Sequence, residues 1–205
     1  MSRGRFIALE GIDGSGTTSQ RGALAEALRG RGHVVLETNE PSSGSIGRLA
    51  RERLAHSAKP LDRGALALLF AADRLDHVAT EIEPALAAGR IVLTDRYLMS
   101  SWAYQSMDCE PQWVRTINAR APWPDLTLVL EVPATEAMRR VSARRQRQGP
   151  QLEIYETLAL QERLARAYAE LARDRSLANV TVIDGTGSME RVTEALLEAC
   201  EAIGL

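Results

Sequence analysis

Short apolar runs alternate with long amphipathic stretches along the chain. The runs occupy 6–9, 34–36, 91–93, 126–130 and 180–183. They are rich in β-branched residues and continuous, the pattern of strands buried on both faces of a parallel sheet. Between them, segments 18–31, 44–56, 62–88, 134–147, 152–174 and 188–203 carry the spacing of helices. This alternation implies βαβ units with right-handed crossovers. The expected fold is α/β, a three-layer doubly wound sheet of five parallel strands with helices on both faces. No internal repeat or Pro/Gly-rich linker divides the 205 residues, so a single domain over 1–205 is expected. The most loop-like stretch is RRQRQGPQ at 144–151, polar, basic and broken by Gly149-Pro150. Open α/β sheets bind ligands at the carboxyl ends of their strands. The residues that follow each apolar run are therefore the candidates for chemistry.

Composition narrows the classes. With 25 basic and 27 acidic side chains the net charge is -2, which gives no reason to expect a nucleic-acid or membrane-surface binder. No apolar run approaches the roughly 18 residues of a membrane helix. The N-terminus runs straight into a strand-like segment without the core of a signal peptide, so the expected location is cytoplasmic. Cys109 and Cys200 make neither a disulfide framework nor a metal site. Lys59 is the single lysine among the 25 basic residues. That leaves almost no lysine available for chemistry.

The first strand leads into Gly11-Ile12-Asp13-Gly14-Ser15-Gly16-Thr17-Thr18 and an alanine-rich helix. This matches the P-loop pattern at both glycines and at Thr18, but Thr17 stands where the pattern has lysine. Glycines let such a loop curl so that its N–H groups and the helix N-terminus face an anion. Thr18 is placed to offer its hydroxyl to Mg²⁺. The plainer reading is a Gly-rich turn with no ligand.

The third strand ends in Asp95-Arg96-Tyr97-Leu98-Met99-Ser100-Ser101-Trp102-Ala103-Tyr104-Gln105. This run resembles the DRY-x-x-S-x-x-A-Y-Q signature of bacterial thymidylate kinases. FIALEGIDGSG at the first strand, LLFAADR ending at Arg74, Glu40-Pro41, Glu131-Val132-Pro133 and Ile183-Asp184 are similar to theirs in order and spacing. The resemblance implies a P-loop NTPase type fold and transfer of the γ-phosphate of ATP to dTMP with Mg²⁺. It implies that ATP binds on Gly11, Ile12, Asp13, Gly14, Ser15, Gly16, Thr17, Thr18 and Ser19, and that Thr18 and Asp95 hold the metal. It also implies a homodimer, with dTMP and ATP as partners and neither nucleic acid nor membrane.

The residues make physical sense in these roles. Phe70, Arg74 and His77 share one helix face. Phe70 can stack on a flat base and Arg74 can donate to its edge; the alternative for Phe70 is the core. Ser100 and Ser101 can bond the base or cap a helix. Tyr104 would stand against the sugar C2′ or only pack, and Gln105 could reach base or ribose. Glu40 and Pro41 would shape the pocket entrance. Asp13, expected with Arg96 to be catalytic, would reach towards the acceptor sugar and the metal-bound phosphates, or cap a turn. Arg96 and Arg51 would grip the acceptor phosphate, a task that suits a bidentate fork; Arg51 reads equally as a solvated helix residue.

Three departures from the family pattern stand out. Asn39 and Ser42-Ser43 flank Glu40-Pro41 where arginine and a glycine pair are common. In the expected mobile lid, around 142–156, the run Glu153-Ile154-Tyr155-Glu156 has Ile154 in place of arginine. The third is Thr17. Arg140, Arg144 and Arg147 fall at i, i+4 and i+7 on one helix face, with Arg145 beside them. The expectation is that Arg144 and Arg147 supply the missing cation, as an arginine finger does, and that Arg140 and Arg145 bind ATP. Two alternatives remain, a nucleotide-binding protein of the same fold without catalysis, and a kinase for another nucleoside monophosphate or a deoxynucleoside.

Overall fold

All five apolar runs become strands of one parallel sheet: β1 (Phe6–Gly11), β2 (Val35–Asn39), β3 (Ile91–Asp95), β4 (Leu126–Glu131) and β5 (Val180–Asp184). The computed structural model describes residues 3–55, 59–148 and 157–205, without the side chains of 147 and 148. The strand order is β2-β3-β1-β4-β5. β1 is therefore central and every one of its residues is buried. That explains its unbroken apolar run, because a strand covered on both faces has no solvent side for polar residues.

Helices cover the two faces. α1 (Thr17–Gly30) and α9 (Met189–Glu201) share one face, where Ile7, Leu9, Leu93, Leu128 and Leu196 pack together. On the other face the chain runs through α2 (Ser45–Leu54), α3 (Arg63–His77), a π-helical turn (Val78–Ile82) and α4 (Glu83–Ala87). After β3 come α5 (Leu98–Tyr104), a 3₁₀ turn and α6 (Pro111–Ile117). α7 (Ala134–Gln148) follows β4, and α8 (Leu158–Arg173) leads to β5. Alternate residues of the central strands feed the two faces. Phe6, Ala8 and Val92 join Ile82 and Leu86 on this second side.

The helical stretch expected over 62–88 is one continuous run, Arg63–Ala87, with a π-helical turn at Val78–Ile82. The sequence expectation differs between β3 and β4. α5 and α6 were not anticipated as helices. The chain from β3 to β4 turns at the sheet's carboxyl edge, which places the DRY segment beside the loop after β1. The expected lid run 153–156 and Gly149-Pro150 lie outside the described residues, as do His56 and the start of the stretch at 152. Among the described residues, no helix is long and apolar enough to cross a membrane. Both cysteines are free, Cys200 buried and Cys109 partly so.

Candidate active site

The loop after β1 turns tightly. Gly14 has φ +84°, and a Cβ there would stand 2.2 Å from the carbonyl oxygen of Ala137 on α7. Only glycine lets this loop touch the α7 backbone. Gly16 caps α1 in the left-handed region with no side-chain acceptor. The first amides of α1 are left for an anion, as a phosphate site requires. Thr17 is buried at the foot of the loop.

Arg140 clasps this loop from α7. Its Nε donates to Glu136 Oε1 at 2.8 Å, Nη1 to the Ser15 carbonyl at 3.3 Å and Nη2 to the Gly185 carbonyl at 3.1 Å. It ties α7, the phosphate loop and the segment after β5 together. Arg144 and Arg145, one turn on, line the same cleft. Arg147 sits on α7, but its side chain lies outside the described residues.

Beneath the loop, the Thr18 hydroxyl donates to Asp95 Oδ2. Asp95 Oδ1 is buried without a hydrogen-bond partner among the described residues. An orphaned carboxylate oxygen beside a hydroxyl is the donor set of a hard cation.

Arg96 holds φ +69°, a costly conformation for a residue with a side chain. That conformation turns its guanidinium back over the loop. Nη1 donates to the Gly11 carbonyl at 3.0 Å, Nη2 binds Asp13 Oδ1 at 2.5 Å, and the plane lies 5.0 Å above the Tyr104 ring. Asp13 is gripped on its other side by Gln161 of α8. The Asp13 N–H donates to Gln161 Oε1 at 3.1 Å, and Gln161 Nε2 donates to Asp13 Oδ2 at 2.8 Å. Burial holds the Tyr104 phenol well above its ordinary pKa, despite the Arg96 charge, so it stays neutral.

The short α5 is held at its start by Glu10 of β1. Glu10 Oε1 accepts from the Tyr97 and Ser100 backbone N–H groups at 2.9 and 3.1 Å. Oε2 accepts from the Ser100 hydroxyl at 2.6 Å and from Tyr168 of α8 at 3.1 Å. Burial raises the Glu10 pKa, and the Ser100 bond and the Arg96 charge oppose it. A carboxylate from another strand thus caps α5, a task the sequence reading left to the serines. Ser100 is committed to this bridge and also accepts from Arg96 at 3.3 Å.

The wall on the far side is built by α3. Phe70 is half-buried, with part of its ring in the apolar cluster of Ala103 and Tyr104 and part lining the cleft. Phe70 thus packs on the core with one part of its ring and leaves another part open to the cleft. Arg74 is only 1% exposed, so its donors must find acceptors within the protein. Nε donates to Glu40 Oε2 at 2.8 Å, Nη2 lies 2.7 Å from the same oxygen in the ion pair, and Nη2 donates to the Tyr97 carbonyl at 3.0 Å. Nη1 donates to Ser101 Oγ at 3.0 Å and to Asn118 Oδ1. Four hydrogen bonds and the ion pair tie the guanidinium to protein acceptors, where the sequence expectation has Arg74 donate to a base. Ser101, accepting from Arg74, keeps its own O–H as the donor on this wall. Glu40 and Pro41 stand at the mouth across a cis peptide bond, and Arg51 of α2 donates to the Pro41 carbonyl.

One cavity of about 990 Å³ joins these parts. It is lined by the loop (Asp13, Gly14, Gly16, Thr17, Thr18, Ser19), by Asp95 and Arg96, and by Arg140, Arg144 and Arg145. Glu40, Pro41, Arg51, Phe70, Arg74, Ser100, Ser101, Tyr104 and Gln105 complete it. Of the residues expected at the site, Gly11, Ile12 and Ser15 do not line it. Gly11 and Ser15 act through their carbonyls on Arg96 and Arg140. The sequence reading missed Glu10, Gln161, Tyr168 and Asn118. Gln161 had a signal, since it interrupts the inward stripe of α8 that continues at Leu164 and Tyr168.

Comparison with known sequences fits this geometry. The family model described as Thymidylate kinase matches residues 9–196. A protein named probable thymidylate kinase from Pyrococcus abyssi (strain GE5 / Orsay) is 40% identical over 200 residues, covering 95% of each chain. Another of that name from Pyrobaculum calidifontis is 39% identical over 198 residues, covering 96% of this chain and 97% of its own. A third, from Thermococcus gammatolerans, is 34% identical over 197 residues and 92% of each. These organisms are archaeal, so the resemblance holds at the level of the family rather than of its bacterial members.

Proposed function

The chain belongs to the thymidylate kinase family, and from that premise we propose that the cleft transfers the γ-phosphate of ATP to dTMP, giving dTDP and ADP. The observation that carries this reading is the single cavity, which runs from the phosphate loop to the Phe70–Arg74–Ser101 wall. A donor phosphate and an acceptor nucleotide can meet in it without crossing protein.

The roles follow from the contacts. The amides at the start of α1 bind the donor phosphates. Phe70 stacks on the acceptor base, while Ser101, oriented by Arg74, donates to its edge. Tyr104 fills the space at C2′. Arg96, already poised over the loop, takes the acceptor phosphate with its fork and exchanges its contact with Asp13. Arg51 approaches the same phosphate from the mouth. Thr18 and Asp95 would hold Mg²⁺, which when bound neutralises charge on the β- and γ-phosphates. Asp95 Oδ1, without a protein partner among the described residues, supports that fit.

Phosphoryl transfer needs cations around the moving group. Arg144 of α7 supplies one in place of the loop lysine, together with Arg147, while Arg140 and Arg145 serve the ATP side. The clasp of Arg140 on the loop favours this over a loop that has lost catalysis, because it brings the arginine helix to the phosphates.

The assembly is a homodimer through the outer face of α3 and α2. Leu68 (50% exposed), Leu61 (39%) and Leu49 (41%) present apolar surface there, and Ala72 and Ala79 continue the stripe. Sedimentation of the wild-type chain beside Leu68→Glu tests it; two identical monomers would refute it.

The activity is tested by ADP release with dTMP, dUMP, dCMP and the thymine ribonucleotide side by side. Preference for dTMP is expected. ATP binding without turnover on any of them would move the assignment to a non-catalytic nucleotide binder.

A further inference from the structure

One buried side chain of the α3 face has no place in the roles above. His77 is 2% exposed, three positions beyond Arg74. Its Nδ1 faces Glu40 Oε1 at 3.2 Å. Its Nε2 faces the Thr38 hydroxyl at 2.8 Å and Glu81 Oε2 at 3.3 Å. Thr38 also lies 3.3 Å from Glu81. Each ring nitrogen thus has a carboxylate oxygen within 3.3 Å, a setting that favours a doubly protonated imidazole.

Glu40 is divided between two cations. Oε1 faces His77, and Oε2 takes both Nε and Nη2 of Arg74. Glu40 is only 6% exposed, so these two partners dominate its surroundings. Asp73 on α3 also acts on the ring but is spent on the Ser42 N–H and hydroxyl at 2.7 and 2.6 Å, while Arg21 reaches the Thr38 carbonyl at 2.8 Å.

We propose that His77 is a positioning residue of the acceptor site: as a cation it holds Glu40 by one oxygen, so that the other fixes the plane of Arg74 and, through it, Ser101. The inference rests on the reading of this wall as the acceptor base site. Its consequence is that affinity for the acceptor, and not for ATP, follows the charge on His77.

Burial pulls the imidazole towards neutrality. The bond to Glu40 and the charges of Glu40, Glu81 and Asp73 outweigh it and hold the pKa above its ordinary value. The ring is charged below that raised value. Acceptor affinity is full there and falls as pH rises through it. Loss of a hydrogen bond to a buried charge corresponds to about a 10-fold weakening.

The test is KM for dTMP and for ATP against pH, in wild type, His77→Gln, Glu81→Gln and Arg74→Gln. Wild type should show KM for dTMP rising about 10-fold on the alkaline side with KM for ATP flat. His77→Gln should start at the high value, lack the rise and keep kcat within about 2-fold. Glu81→Gln removes one facing carboxylate and should move the rise to lower pH. A rise that persists in His77→Gln, or does not move in Glu81→Gln, overturns the proposal. If His77→Gln fails to fold, Glu81→Gln alone decides. An unchanged KM for dTMP in Arg74→Gln would instead remove the base-site reading itself.

Discussion

The proposed acceptor and donor halves of the cleft are built in opposite ways. In the acceptor half the charged groups are already fixed by protein: Arg74 by four hydrogen bonds, Glu40 by Arg74 and His77, Asp13 by Arg96 and Gln161. Such a wall is pre-organised, and in the proposed function it would discriminate before chemistry begins. In the donor half the loop carries Thr17, which has no charge to give. The cations proposed for it stand on another element, α7, fastened through Arg140 and the close approach of Gly14 to Ala137. On this reading one half achieves selectivity by fixed hydrogen bonds, and the other relies on the seating of a helix.

The largest expected effect tests the source of charge. Arg144→Ala or Arg147→Ala should lower kcat by about 10³-fold or more, with KM for dTMP little changed, because a cation at the transferring phosphoryl group is worth that much. Steady-state kinetics of the series through Arg140→Ala would check it. Near-normal kcat in every member breaks the comparison, since the donor half would then not depend on α7.

Next comes the acceptor wall. Phe70→Ala should raise KM for dTMP about 5- to 150-fold, from about 1–3 kcal/mol of base–aromatic stacking, and leave KM for ATP near its starting value. Equal changes for both substrates would return Phe70 to the core alone.

What was legible in the sequence divides along related lines. The strands could be read because β1, β3 and β4 are covered on both faces and leave unbroken apolar runs. The glycine loop and the Phe70–Arg74 spacing lie within one local segment each. α5 was illegible because Leu98, Met99, Ser101, Ala103 and Tyr104 are all buried. A seven-residue helix with so little polar face shows no period. The partners of the fixed wall were equally hidden. Asn118, Gln161 and Tyr168 reach the site from α6's end and α8, and their polar atoms are explained only by groups far away in the chain. Glu10 carried a trace, a carboxylate inside an apolar strand, but nothing local says that it caps α5.

A smaller effect sharpens the acceptor half. Tyr104 is 7% exposed, under Arg96 and edge-on to Tyr168. Tyr104→Ala should raise relative use of the thymine ribonucleotide about 10-fold, the scale set by relief of one steric contact. The ratio of kcat/KM for the two sugars checks it. An unchanged ratio means that the ring only packs.

The smallest effect is expected at the position that looks most damaging. Thr17→Lys restores the residue of the loop pattern, yet it should change kcat of the wild-type chain by less than about 10-fold. A lysine there gains a phosphate contact. It also enters a loop whose neighbour is already cationic, since Arg140 Nη1 would lie 3.9 Å from a Cβ at Gly16. Repulsion between the two charges offsets the gain. The background decides the meaning. In Arg144→Ala the donor half lacks a cation, so adding Thr17→Lys should recover about 10-fold or more of the lost kcat. Coupling of that sign in a double-mutant cycle identifies the two positions as alternative sources of one charge. A large gain from Thr17→Lys in the wild type, with no recovery in Arg144→Ala, would mean that the donor half is short of a cation and that α7 does not provide it.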